Sequence, residues 1–199
     1  MSERIDFYFE FASPYGYLAS TQIEAIADRH GREVAWHPIM LGVAFKETGV
    51  KPLMHTPLKG PYLLHDVPRF ARLLGVPYRE PAVMPVNSLA ASRAIVWLQS
   101  GDQELAKRLV QALYHAHWGL GGDIGTPEQV AEVAEPLGID SSALIAAVGD
   151  QQIKDRLKAQ SLASIERGVF GSPFFIVDGE AFWGADRLDQ VERWLTNAW

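Results

Sequence analysis

The segment from Ile5 to Leu18 reads IDFYFEFASPYGYL, and it passes from a strand pattern to a helix start within a few residues. From Ile5 to Phe11, buried-type apolar residues alternate with more polar ones, which predicts a β-strand. Ser13 and Pro14 follow at once. Because serine is a preferred N-cap and proline is favoured at the first helical position, we expect a helix from here to about His30.

A second strand is predicted from Glu33 to Ile39, so the N-terminal part forms a β-α-β unit with parallel pairing and a right-handed crossover. The C-terminal part contains two further strand patterns, Phe174–Val177 and Glu180–Trp183. Asp178-Gly179 between them is a strong signal for a β-hairpin turn. A last helix is expected to begin near Gly184–Arg187.

The intervening chain is loop-rich at first and then mainly helical. The predicted helices are Val43–Thr48, Tyr62–Leu74, Ser88–Gln99, Gln103–Trp118, one opened by a capping box at Thr126 that runs to Pro136 or Leu137, one opened by Asp140, and Gln151–Arg167. The order of elements predicts an α/β protein with a thioredoxin-like domain and a helical insertion. We assign residues 1–40 and 150–199 to the discontinuous thioredoxin-like domain and residues 41–149 to an inserted, mainly helical domain.

Composition narrows the possible functions. The formal net charge is −6 and no cluster of Lys and Arg stands out, which argues against a nucleic-acid partner. The sequence contains no run of about 18 apolar residues, so no membrane span is predicted. The N-terminus lacks the features of a signal peptide, so a cytoplasmic location is expected. The chain contains no cysteine, so any sulfur chemistry requires a thiol that arrives with a ligand.

Ser13 is the sharpest candidate for chemistry. A serine at a helix N-terminus lies among unpaired backbone N–H groups, in an environment that favours an anion. Its own hydroxyl is too weak an acid to ionise there unaided, and no His or Lys is close in sequence to act as its base. Ser13 is therefore either a plain N-cap or a hydrogen-bond donor to a thiolate, whose formation the same surroundings promote.

Other candidates are ambiguous from local sequence. Pro173, after Ser172, is either an ordinary proline at a strand start or a cis-proline. Asp186 is either an acidic residue at a helix start or a ligand for an amine. The histidines do not show the spacing of a metal site, since His115 and His117 diverge on a helix.

The residues from Asp6 to Leu18 resemble the N-terminus of 2-hydroxychromene-2-carboxylate isomerases, which belong with kappa-class glutathione transferases in the thioredoxin superfamily. The resemblance extends over nearly the whole chain and implies a glutathione-dependent isomerase of aromatic catabolism. Further segments match in the same order, namely Pro38–Gly42, Lys59–Tyr62, Pro85–Ser88, Gly168–Pro173 and Phe182–Leu188.

The resemblance also implies roles for individual residues. It makes Ser13 the catalytic residue that contacts the glutathione sulfur, with Pro173 cis and Asp186 holding the γ-glutamyl end. Ser172 pairs its backbone with the cysteinyl part. The remaining expected glutathione contacts are Pro14, Tyr15, Val50 and Ala185. The family often has Asn at position 50 and Ser or Asn at position 185, so this chain is expected to lack a polar contact at each.

The implied reaction is a cis-trans isomerisation in which a glutathione thiolate adds reversibly to a conjugated aromatic keto acid or chromene carboxylate. The substrate carboxylate is expected to meet one or more residues of the loop-rich stretch, with Lys46, Lys51, Lys59, Tyr62 and Arg69 as unranked candidates. A kappa-like glutathione transferase and a non-enzymatic module that binds a thiol ligand are the alternatives. The resemblance further implies a homodimer.

Overall fold

The computed structural model describes residues 4–49 and 51–198, apart from the side chains at positions 47 and 48. Its sheet contains strands β1 (Ile5–Phe9), β2 (Val34–Pro38), β3 (Phe174–Val177) and β4 (Glu180–Trp183). The strand order is β2-β1-β3-β4, with β1 and β2 parallel and the other pairs antiparallel. The predicted β-α-β unit and the C-terminal hairpin are therefore both present, and the α/β thioredoxin-like fold is confirmed.

The α-helices follow the predicted order closely. They are α1 (Pro14–Ser20), α2 (Ile23–Arg29), α3 (Leu41–Thr48), α4 (Lys59–Leu74), α5 (Leu89–Leu98), α6 (Gln103–Tyr114), α7 (Pro127–Ala134), α8 (Ser141–Gly149), α9 (Gln151–Glu166) and α10 (Leu188–Leu195). Short 3-10 turns occur at Leu53–His55, Glu135–Leu137 and Ala185–Arg187, and a π-helical turn spans His115–Gly119. Within the described ranges, none of the helices is both long enough and apolar enough to cross a bilayer.

The prediction of one helix from Pro14 to His30 is wrong, because the chain breaks into α1 and α2. At the break, the Ser20 hydroxyl donates to the Tyr17 carbonyl at 2.7 Å and the Thr21 hydroxyl donates to the Leu18 carbonyl at 2.8 Å. These side-chain hydrogen bonds compete with the amide–carbonyl ladder of a continuous helix. The π-helical turn likewise ends α6 earlier than the predicted Trp118.

The main core lies between the sheet and the helices on one of its faces. Phe7 is fully buried, stacks on Phe175 with ring centroids 5.1 Å apart, and meets Trp36 edge-on at 4.8 Å. Burying such an aromatic side chain contributes roughly 1.5–3 kcal/mol. Phe11 packs against Tyr114 of α6 at 4.9 Å, so the core continues from the sheet into the helical segment. The proposed division into residues 1–40, 41–149 and 150–199 stays a prediction.

Side-chain caps define the starts of several helices in the helical segment. Asp102, Asp140 and Asp150 each accept backbone N–H bonds at the starts of α6, α8 and α9. The capping box predicted at Thr126 is confirmed, since its hydroxyl accepts from the Gln129 amide while the Gln129 side chain accepts from the Thr126 amide.

We expect Thr126→Ala to lower the free energy of unfolding by about 1 kcal/mol, because it removes one half of this capping box. Thr126→Ser keeps the hydroxyl and is the matched control. Denaturant unfolding of both variants measures the difference, and equal stability of the Ala and Ser variants would contradict the role of the cap.

Candidate active site

Ser13 lies where the first strand passes into α1. Its backbone is extended, with φ −93° and ψ 112°, and its Oγ accepts the Gly16 N–H bond at 3.1 Å. Its hydroxyl donates to the main-chain carbonyl of Ser172 at 2.8 Å, and only 7% of the residue is exposed. The expected N-cap is therefore present, and the same side chain also connects α1 to a loop far away in sequence.

That loop contains the expected cis bond, between Ser172 and Pro173. The Ser172 Oγ accepts the N–H bond of Glu10 at 3.0 Å, so the loop is connected to the end of β1 as well as to Ser13. A second cis bond, between Met84 and Pro85, was not predicted from the sequence.

Gly16 makes room for the buried groups around Ser13. A Cβ at this position would overlap the Tyr114 hydroxyl, and would lie 3.0 Å from the Ser172 Oγ and 3.3 Å from the Ser13 Cβ. Tyr114 is itself fully buried and donates its hydroxyl to the Glu10 carbonyl at 2.9 Å. The side chains of Ser13, Ser172 and Tyr114 therefore pack together around Gly16, and of these three residues sequence analysis had identified only Ser13 and Ser172.

Asp186 lies in the 3-10 turn before α10, and its side chain is 66% exposed. Burial raises the pKa of Tyr15, and Asp66, Tyr62 and, least of all, the charge of Asp186 add to this effect. Ala185 is buried, and its methyl group joins the core. Val50 lies outside the described residues.

Tyr15 belongs to a polar network on α4 that sequence analysis missed. Its hydroxyl donates to the Asp66 carboxylate at 2.7 Å, Tyr62 donates to the same carboxylate at 3.2 Å, and Arg69 pairs with it. Burial alone would raise the pKa of Asp66, but the bonds from Tyr15, Arg69 and Tyr62 lower it below its ordinary value. Asp66 thus holds Tyr62 and Arg69, two candidate substrate-binding residues, beside Tyr15.

The other candidates for binding a substrate carboxylate are Lys46, Lys51 and Lys59, all of which are exposed. In the part of the chain that the structure describes, no group of His, Asp and Glu side chains could hold a metal ion.

Glu10 is a buried acid that the strand pattern had placed on a polar face. Its carbonyl accepts from the Ser13 N–H at 3.0 Å, and one carboxylate oxygen, Oε2, accepts from the Ala12 N–H at 3.1 Å. Burial raises the pKa of Glu10 to about 7, and Ser88 and the nearby amides offset this only in part. A spacing rule could not have found this residue, because its burial depends on α5 and α6.

The comparisons with known proteins agree with the thioredoxin-like fold. A family model described as the DSBA-like thioredoxin domain matches residues 4–196. The 2-hydroxychromene-2-carboxylate isomerase of Sphingobium xenophagum is 31% identical over 198 residues, covering 98% of this chain and 99% of that protein. A solved structure of a 2-hydroxychromene-2-carboxylate isomerase superposes with a TM-score of 0.89 at 32% identity, covering 98% of this chain and 95% of that chain. Human glutathione S-transferase kappa 1 is 23% identical over 207 residues, 98% of this chain and 92% of that protein.

The chain therefore belongs to the family of DSBA-like thioredoxin domains. Within it, the chain groups with the 2-hydroxychromene-2-carboxylate isomerases, and the expectation of an enzyme of the isomerase class is confirmed.

We expect Gly16→Ala to lower the free energy of unfolding by roughly 1–3 kcal/mol, because the added methyl group overpacks the cluster. In a Tyr114→Phe background the cost should be smaller, since the overlapping hydroxyl is gone. A double-mutant cycle of unfolding free energies measures this coupling.

Gly42→Ala is the matched control, because a Cβ at Gly42 would have nothing within 4 Å. Additive effects of Gly16→Ala and Tyr114→Phe would contradict the proposed contact between the two side chains.

Proposed function

We propose that this protein isomerises a 2-hydroxychromene-2-carboxylate-type substrate, with a glutathione thiolate held at Ser13. The observation that carries the proposal is the placement of a serine hydroxyl between a helix N-terminus and a cis-proline loop in a chain without cysteine. The isomerase relatives support the reaction class, and the kappa-class relative supports glutathione as the thiol.

In the proposed reaction the hemiketal ring of the chromene opens first: the bond between C2 and the ring oxygen breaks, the C2 hydroxyl proton passes through water to the phenol oxygen, and C2 becomes a keto group. The thiolate sulfur then adds to a carbon of the conjugated keto acid, and the electron pair of that double bond moves towards the keto group. The former double bond is now single, so the molecule rotates about it. The electron pair then returns, the carbon–sulfur bond breaks, and the thiolate leaves unchanged. The addition needs an ionised thiol, because the thiolate is the nucleophile.

Ser13 would serve this sequence as a hydrogen-bond donor. Its hydroxyl already accepts the Gly16 N–H bond and donates to the Ser172 carbonyl, so rotation of its O–H bond suffices to reach a sulfur placed nearby. The same donor would stabilise the thiolate before addition and after its departure. Hydrogen bonds to charged groups contribute roughly 1.5–3 kcal/mol.

The remaining proposed contacts hold the tripeptide. The backbone of Ser172 before Pro173 would pair with the cysteinyl part, Asp186 would bind the γ-glutamyl ammonium, and Pro14 and Tyr15 flank the sulfur. The buried methyl group of Ala185 offers no polar contact. The geometry therefore supports a glutathione site with fewer polar contacts than the family often has.

Ser13→Ala is expected to lower kcat/KM for chromene isomerisation with glutathione by roughly 10- to 100-fold, the equivalent of one lost hydrogen bond to a thiolate. Spectrophotometric turnover assays measure the loss. Thr126→Ala is the control, because it also removes an N-cap hydroxyl but lies in a helix remote in sequence. Full activity of Ser13→Ala would contradict the proposed mechanism.

The kappa-like relative keeps glutathione conjugation as a second candidate function. The two reactions give different products from the same assay. An isolable glutathione adduct without net isomerisation would favour the transferase, and no turnover of chromene or electrophilic substrates would favour a module that only binds a thiol ligand.

For the substrate carboxylate, the Asp66 network favours Arg69 and Tyr62 over the three lysines, because it connects both to Tyr15. Arg69 also donates to the Tyr62 hydroxyl at 3.0 Å, and its side chain remains 59% exposed. A guanidinium held in this way can present its free N–H groups to a carboxylate.

We expect Arg69→Ala to raise KM for the acidic substrate about tenfold with a smaller change in kcat, as loss of a charged hydrogen bond in binding predicts. Arg72→Ala is the matched control, being an exposed arginine on the same helix. An equal rise in KM in both variants would assign the effect to net charge rather than to Arg69. The homodimer and the cytoplasmic location remain predictions.

A further inference from the structure

The Glu10 carboxyl group has an unsatisfied oxygen in the interior. Only 5% of the residue is exposed, and Oε1 is buried without a hydrogen-bond partner. The nearby Ser88 hydroxyl makes ionisation of Glu10 easier, but it does not meet hydrogen-bond geometry with Oε1. A buried polar atom left in this way is costly, and most of all when the group is charged.

The groups around Glu10 supply no opposite charge. They are the Ser88 hydroxyl at the start of α5, the amides of Phe11 and Ala12, the Ser172 hydroxyl of the cis-proline loop, and the Tyr114 hydroxyl of α6. Among the described residues, no Lys, Arg or His contributes to the shifted ionisation of Glu10. The negative charge of Glu10 is therefore not neutralised locally.

Glu10 and the thiol position share one rigid framework. The Ser13 N–H donates to the Glu10 carbonyl at 3.0 Å, the Ser13 hydroxyl donates to the Ser172 carbonyl at 2.8 Å, and the Glu10 N–H donates to the Ser172 hydroxyl at 3.0 Å. The buried Glu10 carboxylate itself accepts from the N–H of Ala12, the residue before Ser13, at 3.1 Å. A thiolate at Ser13 and a charged carboxylate at Glu10 would therefore repel each other, and the ionisation of each would make that of the other harder.

We propose that Glu10 controls the ionisation of a thiol at Ser13, opposing the thiolate while its own carboxylate is charged and taking up a proton when the thiolate forms. The thiol proton leaves to water, its electron pair stays on sulfur, and Glu10 binds a proton from water, so the net charge of the pair stays at −1. Glu10 acts through the field at the sulfur and is a positioning residue. Its relevance to catalysis rests on the proposed function, whereas its effect on a thiol does not.

The cysteine-free chain allows a direct test without glutathione or substrate. Ser13→Cys introduces the chain's single thiol at the site. The rate of its alkylation by iodoacetamide as a function of pH gives the thiol pKa. In the Ser13→Cys background, Glu10→Gln should lower that pKa by about one unit, because it removes the opposing charge. The two groups titrate as a pair, so the parent curve should also be broader.

Two further variants make the result specific. Glu104→Gln removes an acid whose side chain is 80% exposed, and it should leave the thiol pKa unchanged. Ser88→Ala leaves the Glu10 carboxyl group in place but makes it harder to ionise, so a smaller negative charge opposes the thiolate. The thiol pKa should therefore fall, but by less than in Glu10→Gln. Ser88→Ala also keeps the test available if Glu10→Gln does not fold, which circular dichroism would show.

The same thiol pKa in the folded Ser13→Cys protein with and without Glu10→Gln would overturn this role of Glu10 and leave the isomerase proposal standing. Conversely, a lowered thiol pKa in a protein that turns over no chromene substrate would support the role and count against the proposed function. In the glutathione-loaded enzyme, Glu10→Gln should extend activity to lower pH, whereas a purely structural effect would lower activity at every pH.

Discussion

The backbone of one residue, Glu10, connects the parts of the molecule on which the candidate site depends. The main-chain N–H of Glu10 donates to Ser172, and its carbonyl accepts from both Ser13 and Tyr114. The end of β1, the start of α1, the cis-proline loop and α6 therefore meet at a single residue. Because buried backbone groups must be hydrogen-bonded, none of these elements can shift alone without leaving a polar atom unsatisfied. The Ser13 hydroxyl takes its position from this junction.

The order and type of the elements could be predicted from the sequence, because periodicity and caps are local signals. Alternation identified β1, the Asp178-Gly179 turn identified the C-terminal hairpin, and Thr126 marked the start of α7. The break between α1 and α2 was missed, because apolar spacing continues across it. It arises from side-chain bonds of Ser20 and Thr21 to carbonyls, which compete with the helix without altering the hydrophobic pattern.

The candidate site could be predicted only where a resemblance joined distant segments. Ser13 and Ser172 are separated by 159 positions, and nothing local in either one indicates the other. Glu10 was missed for a related reason, because a polar residue in an alternating strand is predicted to face solvent. The contact of Tyr114 with Glu10 was missed because the two residues lie more than 100 positions apart. Burial is a property of packing, and the pattern of a single segment does not contain it.

The lack of a cysteine at the position of Ser13 has a consequence for durability under the proposed function. A catalytic cysteine that is oxidised beyond the sulfenic acid is generally lost for good, and the polypeptide with it. Here the vulnerable sulfur would belong to a dissociable peptide, and a damaged molecule would be exchanged for a fresh one by simple diffusion. The polypeptide would contribute a hydroxyl, a framework of hydrogen bonds and a buried acid, while its most reactive atom remained a replaceable part.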